Sequence, residues 1–191
     1  MRYLESNRLL LKPIEEEDIY QLMEFRWDRD IMRYMLHEPI SKKDQMEWFR
    51  SLTKNDLVLS VFWKNGDERI LIGTIGLTEI DMRHQRATIR TRLSLEYQGK
   101  GIGKEAAKML FIYGFNTLNL QRIDGIQFSE NIASVTFLER LGFKVEGTLR
   151  RYFYHDGVFK DVSFIGLLKE DFFDAIEKLD EEKSLSTSEL S

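Results

Sequence analysis

The sequence predicts an α/β fold, a central sheet covered by helices, and three observations carry that expectation. Strand-like and helix-like segments alternate along the chain. The glycine run Gln98-Gly99-Lys100-Gly101-Ile102-Gly103-Lys104-Glu105 directly follows a strand-like segment and directly opens a helix-like one. A chain of 191 residues with 42% hydrophobic residues can bury one sizeable core, and one domain over residues 1–180 follows.

Each element has its own local reason. Arg8 to Lys12 reads as a strand stopped by Pro13. Glu15 to Trp27 reads as a helix, with Ile19, Leu22, Met23 and Phe25 at helical spacing. Ser41 and Asp44 have capping-box spacing and open a helix reaching Leu52. Val58 to Trp63 is a strand, Asn65-Gly66-Asp67 a turn, and Ile70 to Ile80 with Arg86 to Leu95 a hairpin. Gly101 to Thr117 is the helix after the glycine run, with Ala106, Ala107, Leu110, Phe111 and Phe115 as its core stripe. Arg122 to Gln127 is a strand, and Ala133 to Leu141 a short helix ended by Gly142. Lys144 to Phe153 and Phe159 to Leu167 pair around His155-Asp156-Gly157. A last helix spans Lys169 to Leu179, and the polar, Ser-rich residues 181–191 read as a disordered tail.

Composition excludes several classes. A net charge of −4 and a pI near 5.5 argue against a nucleic-acid partner, which calls for a basic face. With no cysteine there is no disulfide framework and no thiol nucleophile. His37, His84 and His155 are widely separated, so no metal is expected. The first residues lack the apolar core of a signal peptide, and no apolar run is long enough for a membrane span. The expected location is cytoplasmic.

Three glycines at alternate positions permit a tight turn and leave N–H groups unobstructed, and at a helix N-terminus such groups attract phosphate. A Walker P-loop needs Ser or Thr after Gly103-Lys104, and Glu105 stands there. A dinucleotide fingerprint needs Gly-x-Gly-x-x-Gly early in the fold, and the spacing here is Gly-x-Gly-x-Gly past mid-chain. Gln-x-x-Gly-x-Gly between strand and helix fits residue for residue, and it resembles the acetyl-coenzyme A loop of the GNAT superfamily of N-acetyltransferases. Leu93 to Gly103, Asn131 to Phe143, and Val145 to Arg150 with Asp156-Gly157 extend the likeness in the family's order, over Arg8 to Leu168. The resemblance implies a GNAT-type α/β (α+β) fold: a mixed, twisted central sheet with helices on both faces, splayed near the cofactor strand. It implies acetyl-CoA as co-substrate, a primary-amine acceptor on a small molecule or peptide N-terminus, and direct transfer. It also admits a homodimer.

Such transfer needs a neutral amine, and an aliphatic ammonium with a pKa of about 10.4 must first lose a proton. An oxyanion then needs a donor, and a departing thiolate an acid. By resemblance, Leu93 and Leu95 offer main-chain bonds to the pantetheine arm. Gln98, Gly99, Lys100, Gly101, Ile102, Gly103 and Lys104 hold the pyrophosphate, and Asn131, Ser134, Phe137 and Arg140 line the other side.

Two positions depart from the family pattern. Leu138 replaces the Tyr that commonly protonates the thiolate; Ser134, as in the ribosomal-protein N-terminal acetyltransferase branch, is one substitute, and Tyr152 or Tyr154 another. Ser134 reads equally as a first-turn residue bonding local backbone. Thr88 replaces a common Glu base, leaving Glu79 and Asp81 as the nearest acidic candidates, or water alone. Alternation puts Thr88, Arg90, Arg92 and Ser94 on one face. Two neighbouring arginines on a central strand either pair internally with Glu79, Asp81 or Glu96, or hold a phosphate or carboxylate of the acceptor. The acceptor stays open: Asp81 to Gly103 resembles spermidine/spermine acetyltransferases, and Phe25 to Met35 with Trp48 resembles enzymes of amino-sugar nucleotides. With acid and base positions both altered, an acyl-CoA sensor without turnover is the competing reading.

Overall fold

The computed structural model describes residues 3–27, 41–97 and 99–188. His37, Gln98 and the rest of residues 28–40 lie outside it. Eight strands form one sheet: β1 (Leu4–Glu5), β2 (Leu9–Pro13), β3 (Leu57–Asn65), β4 (Glu68–Asp81), β5 (Arg86–Leu93), β6 (Arg122–Phe128), β7 (Lys144–His155) and β8 (Val158–Leu168). Their order is β1-β2-β3-β4-β5-β6-β8-β7. Every neighbouring pair is antiparallel except β5 and β6, which run parallel. That parallel step needs a crossover, and α3 (Ile102–Asn116) supplies it.

Helices cover both faces, as the alternation predicts. On one face α3 buries Ala106, Ala107, Leu110, Phe111 and Phe115 in a cluster with Leu59, Val61, Ile75, Leu77 and Ile123. The final helix, α5 (Lys169–Ser188), joins it through Phe172 and Ile176. Phe172 meets the rings of Phe111 and Phe115 at 5.7 and 5.3 Å. Ser60 lies between Leu59 and Val61 and so points to the opposite face, where its hydroxyl donates to Asp18 Oδ2 at 2.6 Å. Asp18 begins α1 (Ile19–Glu24), so α1 and its neighbour α2 (Lys42–Ser51) cover that second face.

Several elements differ from the sequence expectation. The predicted helix from Glu15 to Trp27 is a 3-10 turn (Glu16–Asp18) followed by the short α1, since Asp18 turns inward to Ser60. The predicted strand to Leu95 ends at Leu93; Leu95–Tyr97 is a 3-10 turn, with Tyr97 packed against Trp63. α5 runs to Ser188, past the predicted end near Leu179 and into the segment expected to be disordered. Its docked aromatic face nucleates the helix, and Lys108 Nζ holds Asp180 at 3.0 Å. The capping box at Ser41 and Asp44 forms as predicted.

Phe172→Ala should lower unfolding stability by about 3–5 kcal/mol, read from urea denaturation. A loss below about 1 kcal/mol would mean that α5 is not part of the core.

Candidate functional site

The parallel β5–β6 pair is registered only at Arg86, Ala87 and Thr88, opposite Arg122, Ile123 and Asp124. Beyond Thr88 the strands part, and the backbone edge of β5 from Ile89 to Leu93 faces a gap rather than a strand. An open cleft of about 2320 Å³ passes through this splay.

At one end of the cleft stands the glycine run. Gly99 and Gly101 have φ of 71° and 74°, a conformation that costs other residues, and a Cβ on Gly103 would press on Leu93 Cδ1 at 3.3 Å. The first helical hydrogen bond of α3 runs from Glu105 N–H to Gly101 O at 3.1 Å. The N–H groups of Ile102 and Gly103 therefore precede the first helical bond, in the turn that carries partial positive charge. Ser6 Oγ donates to Glu105 Oε1 at 2.5 Å, and Arg8 Nε donates to Glu105 Oε2 at 2.8 Å. Arg8 Nη1 also reaches Lys100 O at 3.2 Å, so the β1–β2 turn clamps the loop. The predicted pyrophosphate residues from Gly99 to Lys104 thus surround one helix N-terminus, while Gln98 lies outside the described residues.

Across the gap is α4 (Ile132–Glu139). Asn131 caps it, its Oδ1 accepting from Ser134 N–H at 3.2 Å. Asn131, Ser134, Phe137, Leu138 and Arg140 all line the cleft. Leu138 also packs on the core, which accounts for an apolar side chain there. Among the described residues the Ser134 hydroxyl has no hydrogen-bond partner. Leu93 remains on β5, whereas Leu95 has left the strand and is partly exposed in the 3-10 turn.

The acidic candidates separate. Glu79 sits in a bulge of β4, between Thr78 and Asp81, with φ of 54°. Such a bulge re-aims a side chain: Thr88 Oγ1 donates to Glu79 Oε2 at 2.9 Å, and Arg90 Nη2 lies 3.8 Å from Oε1. Glu79 lines the cleft. Asp81 does not; its Oδ1 accepts from the N–H groups of Arg83 and His84, both at 2.9 Å. The His84 amide foremost holds its carboxyl below the usual range, against some opposing desolvation. Asp81 is a turn residue. Tyr154 is also outside the cleft lining, exposed near the hairpin tip with its ring 5.2 Å from Phe159; Tyr152 is the tyrosine that reaches the cleft.

Sequence reading missed Arg26, Gln45 and Gln127. Arg26 is buried in the turn just past α1 and donates to Gln45 Oε1 of α2 at 3.1 Å. Gln127 lies on β6 with both amide atoms buried and unpartnered among the described residues, at the cleft wall. A lone Gln at an inward position of an apolar alternation was its only signal. Among the described residues, no three His, Asp or Glu side chains gather as a metal site, and no helix is long and apolar enough to cross a membrane.

A splayed strand pair with a glycine-lined helix N-terminus beside it is the arrangement that the resemblance implies for an acyl-coenzyme A transferase. Residues 8–144 match the family described as acetyltransferase (GNAT) domain, and the chain belongs to that family. It is 35% identical to the uncharacterized N-acetyltransferase p20 of Bacillus licheniformis, over 90% of this chain and 99% of that one. It is 32% identical to the spermidine N(1)-acetyltransferase of Escherichia coli K12, over 82% of this chain and 83% of that one. The crystal structure of the Vibrio cholerae spermidine N-acetyltransferase with CoA and spermine aligns with a TM-score of 0.79 at 27% identity, covering 88% of this chain and 99% of that one. The chain is therefore an acetyl-CoA-dependent N-acetyltransferase. Its β5 edge beyond the β6 pairing and its glycine-lined α3 N-terminus fit the pantetheine arm and the diphosphate.

Gly101→Asp places a carboxylate where a Cβ meets only Arg8 Nη2, at 3.9 Å. Calorimetric titration should show acetyl-CoA affinity lowered at least about tenfold, ~1.4 kcal/mol. Unchanged affinity would refute the loop as the diphosphate site.

Proposed function

We propose that the chain acetylates the primary amine of a small molecule by direct attack in this cleft, with Glu79 receiving the amine proton. The observation that carries the reading is the Glu79 carboxylate held over Thr88, the position where related sequences place Glu on the strand itself. A bulge on the neighbouring strand supplies the carboxylate that β5 lacks.

Acetyl-CoA supplies the activated acyl carbon. The chain's residues do the rest. Glu79, in reach of solvent and of an entering amine, takes the proton that keeps the amine from attacking. The β5 edge offers backbone N–H groups to the developing oxyanion. Ser134, with its hydroxyl uncommitted among the described residues, donates to the departing sulfur from the first turn of α4. Polyamines, amino-sugar nucleotides and peptide N-termini are the acceptor classes that the resemblances offer. The curated relatives favour the first, and the charges lining the second sheet face favour an acidic alternative.

Glu79→Gln should reduce kcat/KM by about 10²–10⁴-fold, measured by CoA thiol release, with acetyl-CoA affinity unchanged. A reduction under threefold would assign deprotonation to water.

A further inference from the structure

The α1 face of β5 carries two arginines with different surroundings. Arg90 lies beside Glu79, and its side chain is about half exposed at 48%. Arg92 is two residues nearer the glycine loop, in register with Thr74 of β4 and, beyond it, Ser60 of β3. Its Nε is buried with no hydrogen-bond partner, and among the described residues no carboxylate stands within ion-pair distance of it. What does lie close is Arg26, whose positive charge acts on Arg92 unfavourably. Burial first, and Arg26 second, push the Arg92 guanidinium down to about 10.

Among the described residues, the carboxylates on the neighbouring elements are engaged elsewhere. Asp18 accepts from Ser60, Asp44 from Ser41, Asp56 from Thr53, Glu79 from Thr88 and Asp124 from Arg122. A guanidinium with its Nε buried and no counter-charge among the described residues is unfavourable, and a second guanidinium beside it adds to the cost. Both side chains line the cleft on the face that carries Glu79.

Resting on the acetyl-transfer reading above, we infer that the acceptor carries an anionic group, a carboxylate or a phosphate, several bonds from its reacting amine, and that Arg92 with Arg26 beside it holds that group. Guanidinium groups suit both anions through paired, parallel hydrogen bonds. Thr88 and Arg92 are four residues apart, roughly 13 Å along the strand, and the long Glu79 and Arg92 side chains close part of that distance. A small amino acid or amino-sugar phosphate spans the remainder. A polyamine would bring a second cation to Arg92.

Matched acceptor pairs test this: lysine against cadaverine for the carboxylate, and glucosamine 6-phosphate against glucosamine for the phosphate. Each is titrated calorimetrically into the full chain saturated with CoA, and each is assayed with acetyl-CoA for thiol release. In at least one pair the anionic member should bind about tenfold tighter or better, and Arg92→Gln should abolish that preference. Arg92→Gln should keep acetyl-CoA affinity and should not lower the thermal midpoint, because no internal partner is lost. The inference fails if neither anionic probe binds, if cadaverine and glucosamine bind as well as their partners, or if Arg92→Gln leaves the preference intact. It fails equally if Arg92→Gln lowers the midpoint by several degrees, the mark of an internal pair. Anion preference without thiol release keeps the inference and removes turnover; acetylation of cadaverine and spermidine without anion preference does the reverse.

Discussion

The parting of β5 from β6 after three paired residues is the constraint on which the rest depends. A parallel neighbour cannot be reached by a hairpin, so the chain must leave the sheet at the carboxyl end of β5 and return through a helix. That helix is α3, and its N-terminus therefore opens beside the gap its own crossover creates. Ligands in open α/β sheets bind at such points for this reason. Once β6 turns away, the β5 edge beyond Thr88 has no strand paired to it on that side. β6 loses little, since it pairs along its whole length with β8, from Arg122 opposite Leu168 to Phe128 opposite Val162. Gly125 permits the tight packing there: a Cβ would stand 2.9 Å from Ile165 Cγ1 and 3.1 Å from Ile89 Cγ2.

Electrostatics at the α3 N-terminus need a correction that the fold supplies. Glu105 in the first turn suits the helix dipole but would repel a diphosphate. Ser6 and Arg8, almost a hundred residues earlier in the chain, absorb its charge, and Arg8 additionally holds the Lys100 carbonyl. The edge of the sheet is thereby tied to the loop. Lys100 is left with its ammonium over the Tyr97 ring at 5.2 Å, close to where phosphate charge would arrive.

Features encoded by neighbours in sequence were legible. The glycine run, the Ser41–Asp44 box and the alternation that put Thr88, Arg90 and Arg92 on one face all depend on a few adjacent residues, and all are present in the fold. Features decided by distant contacts were not. No glycine marks the bulge that turns Glu79 towards Thr88; it depends on Asp56, whose Oδ1 accepts the Glu79 N–H at 3.2 Å from another loop. Leu95 continues the strand pattern by composition, yet Tyr97 is drawn towards Trp63 and the strand ends early. Tyr152 and Tyr154 share a periodicity, so only the packing of Tyr154 on Phe159 separates them. Arg26 continues a helical stripe of core residues in the sequence, yet in the fold it lies past the end of α1 and bonds Gln45 of α2.

The same distinction explains why kinship carries the donor further than the acceptor. The proposed donor site is largely main chain: a strand edge, a helix end and two glycines in a left-handed conformation. Such a site survives at about 30% identity because backbone geometry tolerates side-chain change. The proposed acceptor side is drawn instead from side chains on separate segments, with Arg26 from the turn after α1 and Arg90 and Arg92 from β5. Each can change without disturbing the sheet. Charge here is a more direct guide than identity, because a partly buried guanidinium with no counter-charge among the described residues is a standing cost that folding alone gives no reason to keep. A ligand of opposite sign gives one.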